Sequence, residues 1–316
     1  MTRFLLCATL LTAAVSIHAA ECRYTELAAL DIGVDERFSA TPYLDAQING
    51  KSVHMLIDTG AFKTVLTRAE ADRQEITLTR SRELVYGVGG QAAMFSARPK
   101  EVIIGPARVA GTWFPVIEGF DFPGYGGIIG ADYLLQADLE IALADKKLKF
   151  FRGAGCDDKS LAYWDTNALD VPLDIPSHDS RATVPVSING TRLMALIDTG
   201  AAVSVINQNA AERLGFDSAS ANAVKRGKLQ GVNGKSRHAW IASFDSFAIG
   251  DERIDHPQIT VLEQQSGDIA SKGHQMILGR DFLRAHHVLL SPHQQRFYFT
   301  YLGGPVFAAA YRKEKP

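Results

Sequence analysis

The sequence has little that would place it in a membrane, on nucleic acid or around a metal. Beyond its first twenty residues no apolar run approaches the roughly 20 residues that a spanning helix takes. Lys and Arg number 33 against 35 Asp and Glu, a formal net charge of −2. Without a basic excess there is no electrostatic footprint for nucleic acid or an anionic lipid surface. Only three residues are cysteine, none in Cys-x-x-Cys spacing, and the histidines lack the spacing of metal ligands. His286 and His287 read as solvated or helix-end residues. No metal or other cofactor is therefore expected. Gly-x-Ser-x-Gly is absent. The string ending Gly231-Val232-Asn233-Gly234-Lys235-Ser236 resembles a phosphate loop, but Leu229 stands where the first glycine must be, and Gly87-x-Gly89 lacks the third glycine of a dinucleotide fingerprint. What remains is an ordinary globular composition, 46% apolar and 22% charged over 316 residues. At about 100–200 residues per domain, that length suggests two domains.

Arg3, the apolar run from Phe4 to Ile17, and the small residues Ala19 and Ala20 have the layout of a cleavable secretory signal over residues 1–20. His18 is an imperfect cleavage-site residue, so a retained anchor is the alternative. The expected location is periplasmic or secreted. Cys7 falls inside that segment. Cys22 and Cys156 remain, open to one disulfide in an oxidising compartment or to two unpaired thiols.

The chain repeats itself. INGKSVHMLIDTGAFKTVL at 48–66 is matched without a gap by INGTRLMALIDTGAAVSVI at 188–206. YGVGGQ at 86–91 then faces LQGVNGKS at 229–236, and GGIIGADYLL at 126–135 faces MILGRDFLRA at 276–285, in the same order in both halves. Order and identity together argue for duplication. Each copy reads as strands and turns. Asn49-Gly50 and Asn189-Gly190 are two-residue hairpin signals, followed by apolar strands Val53–Ile57 and Leu193–Ile197. An Asp-Thr-Gly triplet breaks each strand, and short strands resume at Thr64–Leu66 and Val203–Ile206. Helices are expected from Thr67, with Glu70 completing a capping box, and from Asn207 to Gly215. Shorter ones are expected at Ala131–Leu135 and Arg280–Ala285, with Asp132 and Asp281 as cap or packing carboxylates. Residues 156–180 read as a polar linker with some extended structure.

Each Asp-Thr-Gly-Ala string follows an apolar strand, which holds Asp58 or Asp198 at a strand end over a buried core. Gly60 and Gly200 allow a tight turn and close backbone approach. Hydrolysis of a peptide without metal or nucleophile needs one group to activate water and another to polarise the carbonyl. Two carboxyls sharing a proton do both, because like charges about 3 Å apart cannot both ionise easily. Such a pair titrates as a unit. The residues after the triplets, Ala61 and Ala201, carry no hydroxyl to favour the ionised forms, so a mildly acidic to neutral optimum is expected.

The LIDTGA strings, the glycine blocks and the IIG and ILGR blocks before short helices resemble the retropepsin-like aspartic peptidases over roughly 40–150 and 180–300. The resemblance implies a mostly-β fold of two acid-protease β-barrel lobes, with pseudo-twofold symmetry and a central cleft. It implies Asp58 and Asp198 as the catalytic pair, and Thr59 and Thr199 hydrogen-bonding across the two loops. It also implies flaps near Gly87, Gly89 and Gly90 and near Gly231 and Gly234, closing over an extended peptide. The lobes are expected at 21–155 and 181–316, in a monomer with one intramolecular site acting on a peptide or protein substrate. A non-catalytic exported peptide-binding protein, or an obligate dimer pairing repeats between chains, would share the motifs. The sequence departs from the pattern at Ala131, where the second copy has Arg280. A structural arginine–carboxylate contact is thus expected in one lobe only. Phe62 and Ala202 also differ, and the insertion Phe120 to Tyr125 occurs only in the first copy.

Overall fold

The computed structural model describes residues 21–87, 90–117, 124–220, 223–230, 236–263 and 273–307. The expected signal segment, most of the first-copy insertion and residues 308–316 lie outside them. The fold is mostly β, with two lobes built from the two repeats and a third sheet joining them.

Turn chemistry starts each lobe. Strands Thr41–Ile48 and Lys51–Ile57 pair antiparallel through Asn49 and Gly50, at φ 52° and 78°. Thr183–Ile188 and Thr191–Ile197 pair through Asn189 and Gly190, at φ 49° and 75°. Both central residues of such a turn need positive φ, which Asn tolerates and Gly adopts freely. The asparagines have a second task. Asn49 Oδ1 accepts from the Lys100 and Glu101 N–H groups, and Asn189 Oδ1 from those of Asp245 and Ser246. Each turn is thereby tied to the strand beside it.

In the first lobe, strand Tyr125–Ile129 lies between Lys51–Ile57, to which it is parallel, and Val65–Thr67, to which it is antiparallel. In the second lobe Met276–Leu278 lies in the same way between Thr191–Ile197 and Val205–Asn207. The Asp-Thr-Gly loops are the connections that these inserted strands pass beneath. Nine strands follow one order in both sheets, and the first lobe adds Gly33–Asp35 beside Thr41–Ile48. Residues alternate between two apolar faces. Ile57, Leu66 and Ile129 point into the main core with Ile197, Ile206 and Leu278, whereas Leu56, Val65 and Ile128, and Leu196, Val205 and Ile277, form two smaller clusters on the opposite faces. Each large side chain taken fully from water contributes about 1.5–3 kcal/mol.

The α-helices among the described residues are short: α1 (Arg68–Arg73), α2 (Ala131–Leu134), α3 (Gln208–Arg213) and α4 (Arg280–Leu283). Thr67 Oγ1 caps α1 by accepting from Glu70 N–H, and Asn207 Oδ1 caps α3 by accepting from Ala210 N–H. The expected box around α1 forms only by half. The Glu70 carboxylate is taken by Arg73 and Gln74 instead.

Strands from the chain start, both lobes and the segment between them build the joining sheet. Its order is Arg23–Asp31, Lys147–Ala154, Asp138–Ala142, His286–Ser291, Arg296–Tyr301, Leu169–Pro172. The expected linker is thus structural: it supplies the last of these strands. Its earlier part packs Leu161, Ala162 and Trp164 with Leu289 and Tyr298. Under that cover Glu140 is fully buried, with Tyr163 Oη donating to Oε2 at 2.6 Å, and Lys149 Nζ and His287 Nε2 at ion-pair distances of 3.0 and 3.1 Å from Oε1. His286 is not solvated. It is buried, with Nδ1 at 2.8 Å from Phe282 O at the end of α4 and Nε2 at 3.0 Å from Glu252. Cys22 and Cys156 are joined in a disulfide across 134 residues, a closure that adds about 4–5 kcal/mol in the chain-entropy model. Among the described residues no helix is long and apolar enough to cross a membrane.

Candidate active site

The two Asp-Thr-Gly loops meet. Asp58 N–H donates to Ile129 O and Asp198 N–H to Leu278 O, both at 3.0 Å, so each aspartate is fixed to the strand inserted beside it. Thr59 and Thr199 are fully buried and lock the loops to one another. Each threonine N–H donates to the other's Oγ1 at 3.0 Å. Thr59 Oγ1 donates to Ile197 O and Thr199 Oγ1 to Ile57 O, at 2.8 Å each. Every polar group in this lock has a partner, which a buried network needs in order to hold one geometry.

The carboxyls of Asp58 and Asp198 are in hydrogen-bonding contact and remain partly exposed. Asp58 Oδ1 accepts from the Gly60 and Ala61 N–H groups, both at 2.9 Å. Asp198 Oδ1 accepts from Gly200 at 2.8 Å and Ala201 at 3.0 Å. The glycines are there for close approach. A Cβ on Gly60 would lie 2.3 Å from Asp198 Cγ, and one on Gly200 would lie 2.5 Å from Asp58 Cγ.

Behind the loops the lobes repeat a second contact. Thr64 N–H and Oγ1 donate to Asp132 Oδ1 at 2.7 and 2.8 Å, and Ser204 N–H and Oγ donate to Asp281 Oδ1 at 2.8 and 2.6 Å. The same hydroxyls accept from Gly130 and Gly279 N–H. The two late-helix carboxylates are therefore packing groups that hold the loop after each triplet.

The lobes differ at Arg280, which is almost fully buried. Its Nη1 donates to Thr199 O at 2.9 Å and Gly200 O at 2.8 Å. Its Nη2 reaches into the other lobe, to Ser39 O at 3.1 Å and Thr41 Oγ1 at 3.0 Å. Burial lowers its pKa to about 10. The sequence placed this arginine, but expected it to meet a carboxylate. It meets carbonyl and hydroxyl oxygens instead.

Electrostatics separate the two aspartates. Burial pushes Asp58 well above the usual carboxylate range, and the neighbouring Asp198 charge and the bond between the carboxyls push it further, against two backbone donors. Burial also raises Asp198, but the bond from Asp58, the backbone donors and the Arg280 charge oppose it. The alanines after the triplets remove side-chain donors, as read from the sequence. The reading missed the backbone N–H groups of those same alanines, because such donors depend on loop conformation and not on residue type.

Of the expected flap glycines, Gly87 and Gly90 face each other where strands Leu78–Gly87 and Gly90–Ala97 pair. Gly89, Gly231 and Gly234 lie outside the described residues, and strands Val224–Gln230 and Ser236–Ser243 pair on either side of the latter two. Among the described residues no cluster of three His, Cys, Asp or Glu could hold a metal.

Comparison with known families gives one match in each repeat. The model of a gag-polyprotein putative aspartyl protease family covers residues 44–136, and that of an aspartyl protease family covers residues 184–282. Each match contains one Asp-Thr-Gly triplet. No curated protein matches the chain.

Proposed function

The chain belongs to the retropepsin-like aspartic peptidases, with two aspartyl protease domains in tandem, and from that premise we propose that it is a single-chain aspartic endopeptidase. The observation that carries this reading is the contact between two carboxyls on symmetric, mutually locked loops. Asp58 is the protonated member and Asp198 the ionised one, because Arg280 lies on the Asp198 loop and Ala131 stands opposite. Asp198 takes a proton from water as the water oxygen bonds to the scissile carbonyl carbon. Asp58 donates its proton to the carbonyl oxygen. On collapse, one hydroxyl of the tetrahedral diol returns its proton to Asp58, Asp198 gives its proton to the leaving nitrogen, and the C–N bond breaks. The dyad ends with one proton, as it began. The peptide is held as an extended strand under the paired strands Leu78–Gly87 and Gly90–Ala97 and the paired strands Val224–Gln230 and Ser236–Ser243. The chain is exported; the signal layout of residues 1–20 and the Cys22–Cys156 disulfide, which persists in oxidising compartments, support that location.

Cleavage of a diverse peptide library by the mature chain from pH 3 to 8 tests the function. Internal cleavage with a mildly acidic to neutral maximum is expected. No cleavage by folded protein at any pH would leave a peptide-binding module. Gly200→Ala should lower kcat/KM by roughly 10²-fold or more, because the new methyl displaces the Asp58 carboxyl from its working position. Wild-type activity in that variant would show that the close approach is not needed.

The raised Asp58 also makes a prediction about stability. A carboxyl whose folded pKa lies above its unfolded value, near 3.9, binds more protons when folded. Its favourable contribution is complete below the unfolded pKa and is lost as pH rises through the folded one. Asp58→Asn abolishes that loss. Its melting temperature should therefore exceed wild type at pH 7 by more than at pH 4; an equal difference at both pH values would mean that the pair is not strained by charge.

A further inference from the structure

The lobes carry the same pocket twice, in different chemistry. On the first lobe Tyr43 faces Leu56, two residues before Asp58, and on the second Thr183 faces Leu196, two residues before Asp198. Leu56, Tyr43 and Tyr125 share an apolar cluster with Ala61, whose N–H holds the Asp58 carboxyl. Leu196 shares one with Ala201, whose N–H holds Asp198. Each pocket therefore flanks the dyad, beside the strand that leads into it. The offsets of the repeat match the two linings position by position: Tyr43 with Thr183, His54 with Met194, Gly124 with Gly273 and Tyr125 with His274.

The first pocket has a volume of 210 Å³ and its twin 90 Å³. A cavity of about 150 Å³ admits benzene, so a ring fits the first and not the second. The strand Gly33–Asp35, which only the first lobe has, supplies Val34 and Asp35 to the outer wall. In the twin, Arg181 and Asp179, paired at 2.5 Å, line the space instead. The other walls of the first pocket are the Tyr43, His54 and Tyr125 rings, tilted or edge-on with centroids 4.7 to 6.3 Å apart. Rings prefer such packing, and one more ring extends it. The charges lining the pocket are already paired. Asp35 accepts from Arg37 Nη2 at 2.7 Å and from Tyr125 Oη at 2.9 Å, and His54 Nδ1 lies 2.6 Å from Asp45 Oδ1. An entering carboxylate or ammonium would lose water and find no unmatched counter-charge. A ring loses little, and the guanidinium of Arg37, 77% exposed at the rim, suits its face.

We infer that the first-lobe pocket is a subsite for an aromatic side chain of the substrate, and that its small, charged twin refuses one, so that peptides enter the cleft in one direction only. The inference rests on the endopeptidase reading. Two equivalent lobes would accept a chain running either way across the dyad. Here the aromatic residue has one place to go, and the direction of the chain follows from it.

Cleavage of random decapeptides that each carry one Phe, Tyr or Trp, read by mass spectrometry, tests the subsite in the mature full chain. The aromatic residue is expected on one side of the cleaved bond and at a fixed number of residues from it. Replacing it by Ala, Asp or Lys should lower kcat/KM at least tenfold. Tyr43→Thr gives the first lobe the residue of the second, and should reduce that preference below threefold. If the variant does not fold, His54→Ala removes an exposed wall and should reduce the preference at least threefold. Equal aromatic preference on both sides of the bond, none on either, or an unchanged preference in the folded variant would overturn the inference. If no peptide is cleaved, the endopeptidase reading fails, and the pocket is judged by calorimetric binding alone. A decapeptide with Phe near one end should then bind at least tenfold tighter than its Ala analogue and than its reversed sequence. Equal affinities would overturn the subsite as well.

Discussion

Replacing Asp198 by Asn is expected to lower peptide cleavage by roughly 10³-fold or more, in the range that loss of a positioned acid or base gives, with the fold retained. Asn keeps the shape of Asp and accepts the Gly200 and Ala201 N–H bonds through its amide oxygen. It cannot take a proton from water. Asp58→Asn should lose as much by the other route, since an amide cannot pass a proton to the carbonyl oxygen and recover it. The double variant should be little worse than either single one, because the two groups act as a unit. Rates with defined peptides, measured beside circular dichroism spectra, separate loss of chemistry from loss of fold. Wild-type rates in either single variant would remove that residue from the reaction.

Arg280→Ala is expected to destabilise the protein by about 3–5 kcal/mol, as several buried acceptors lose their donor together and a cavity is left behind. The carbonyls of Thr199 and Gly200 take their side-chain donor from this one residue, and Ser39 O, which Arg284 also serves, and Thr41 Oγ1 accept from it as well. Thr199 and Gly200 belong to the Asp198 loop, and Ser39 and Thr41 to the other lobe, so the same change loosens both the dyad and the seam. Arg284→Ala is the control. That side chain is exposed, and its loss should stay within about 0.5 kcal/mol. Denaturant unfolding of both variants measures the difference. Equal small effects would mean that Arg280 is replaceable by water.

Features with a local signature were legible in the sequence. Asn-Gly turns demand positive φ wherever they occur, apolar runs mark the strands before Asp58 and Asp198, and a duplicated order of blocks implies a duplicated fold. The loops and their threonine lock followed from the family resemblance. Contacts between distant segments left no such mark. Arg280 and Ser39 are separated by 241 positions, and nothing near either residue announces the other. The joining sheet was missed for the same reason. Asp138 and Glu140 alternate with Leu139 and Ile141 as if facing solvent, and only the covering segment with Leu161, Tyr163 and Trp164 shows that they are buried. That segment reads as a linker because its polar groups find their partners far along the chain, at Glu140, Gln294 and Thr300, instead of forming a regular pattern.

The measurement that most directly tests the account is peptide cleavage by an equimolar mixture of Asp58→Asn and Asp198→Asn chains, beside wild type over a range of concentrations. If both aspartates of one site come from one chain, the mixture stays as inactive as either variant, and wild-type specific activity does not change with concentration. Recovery of activity on mixing would show that the working pair forms between chains, and would contradict the single-chain site.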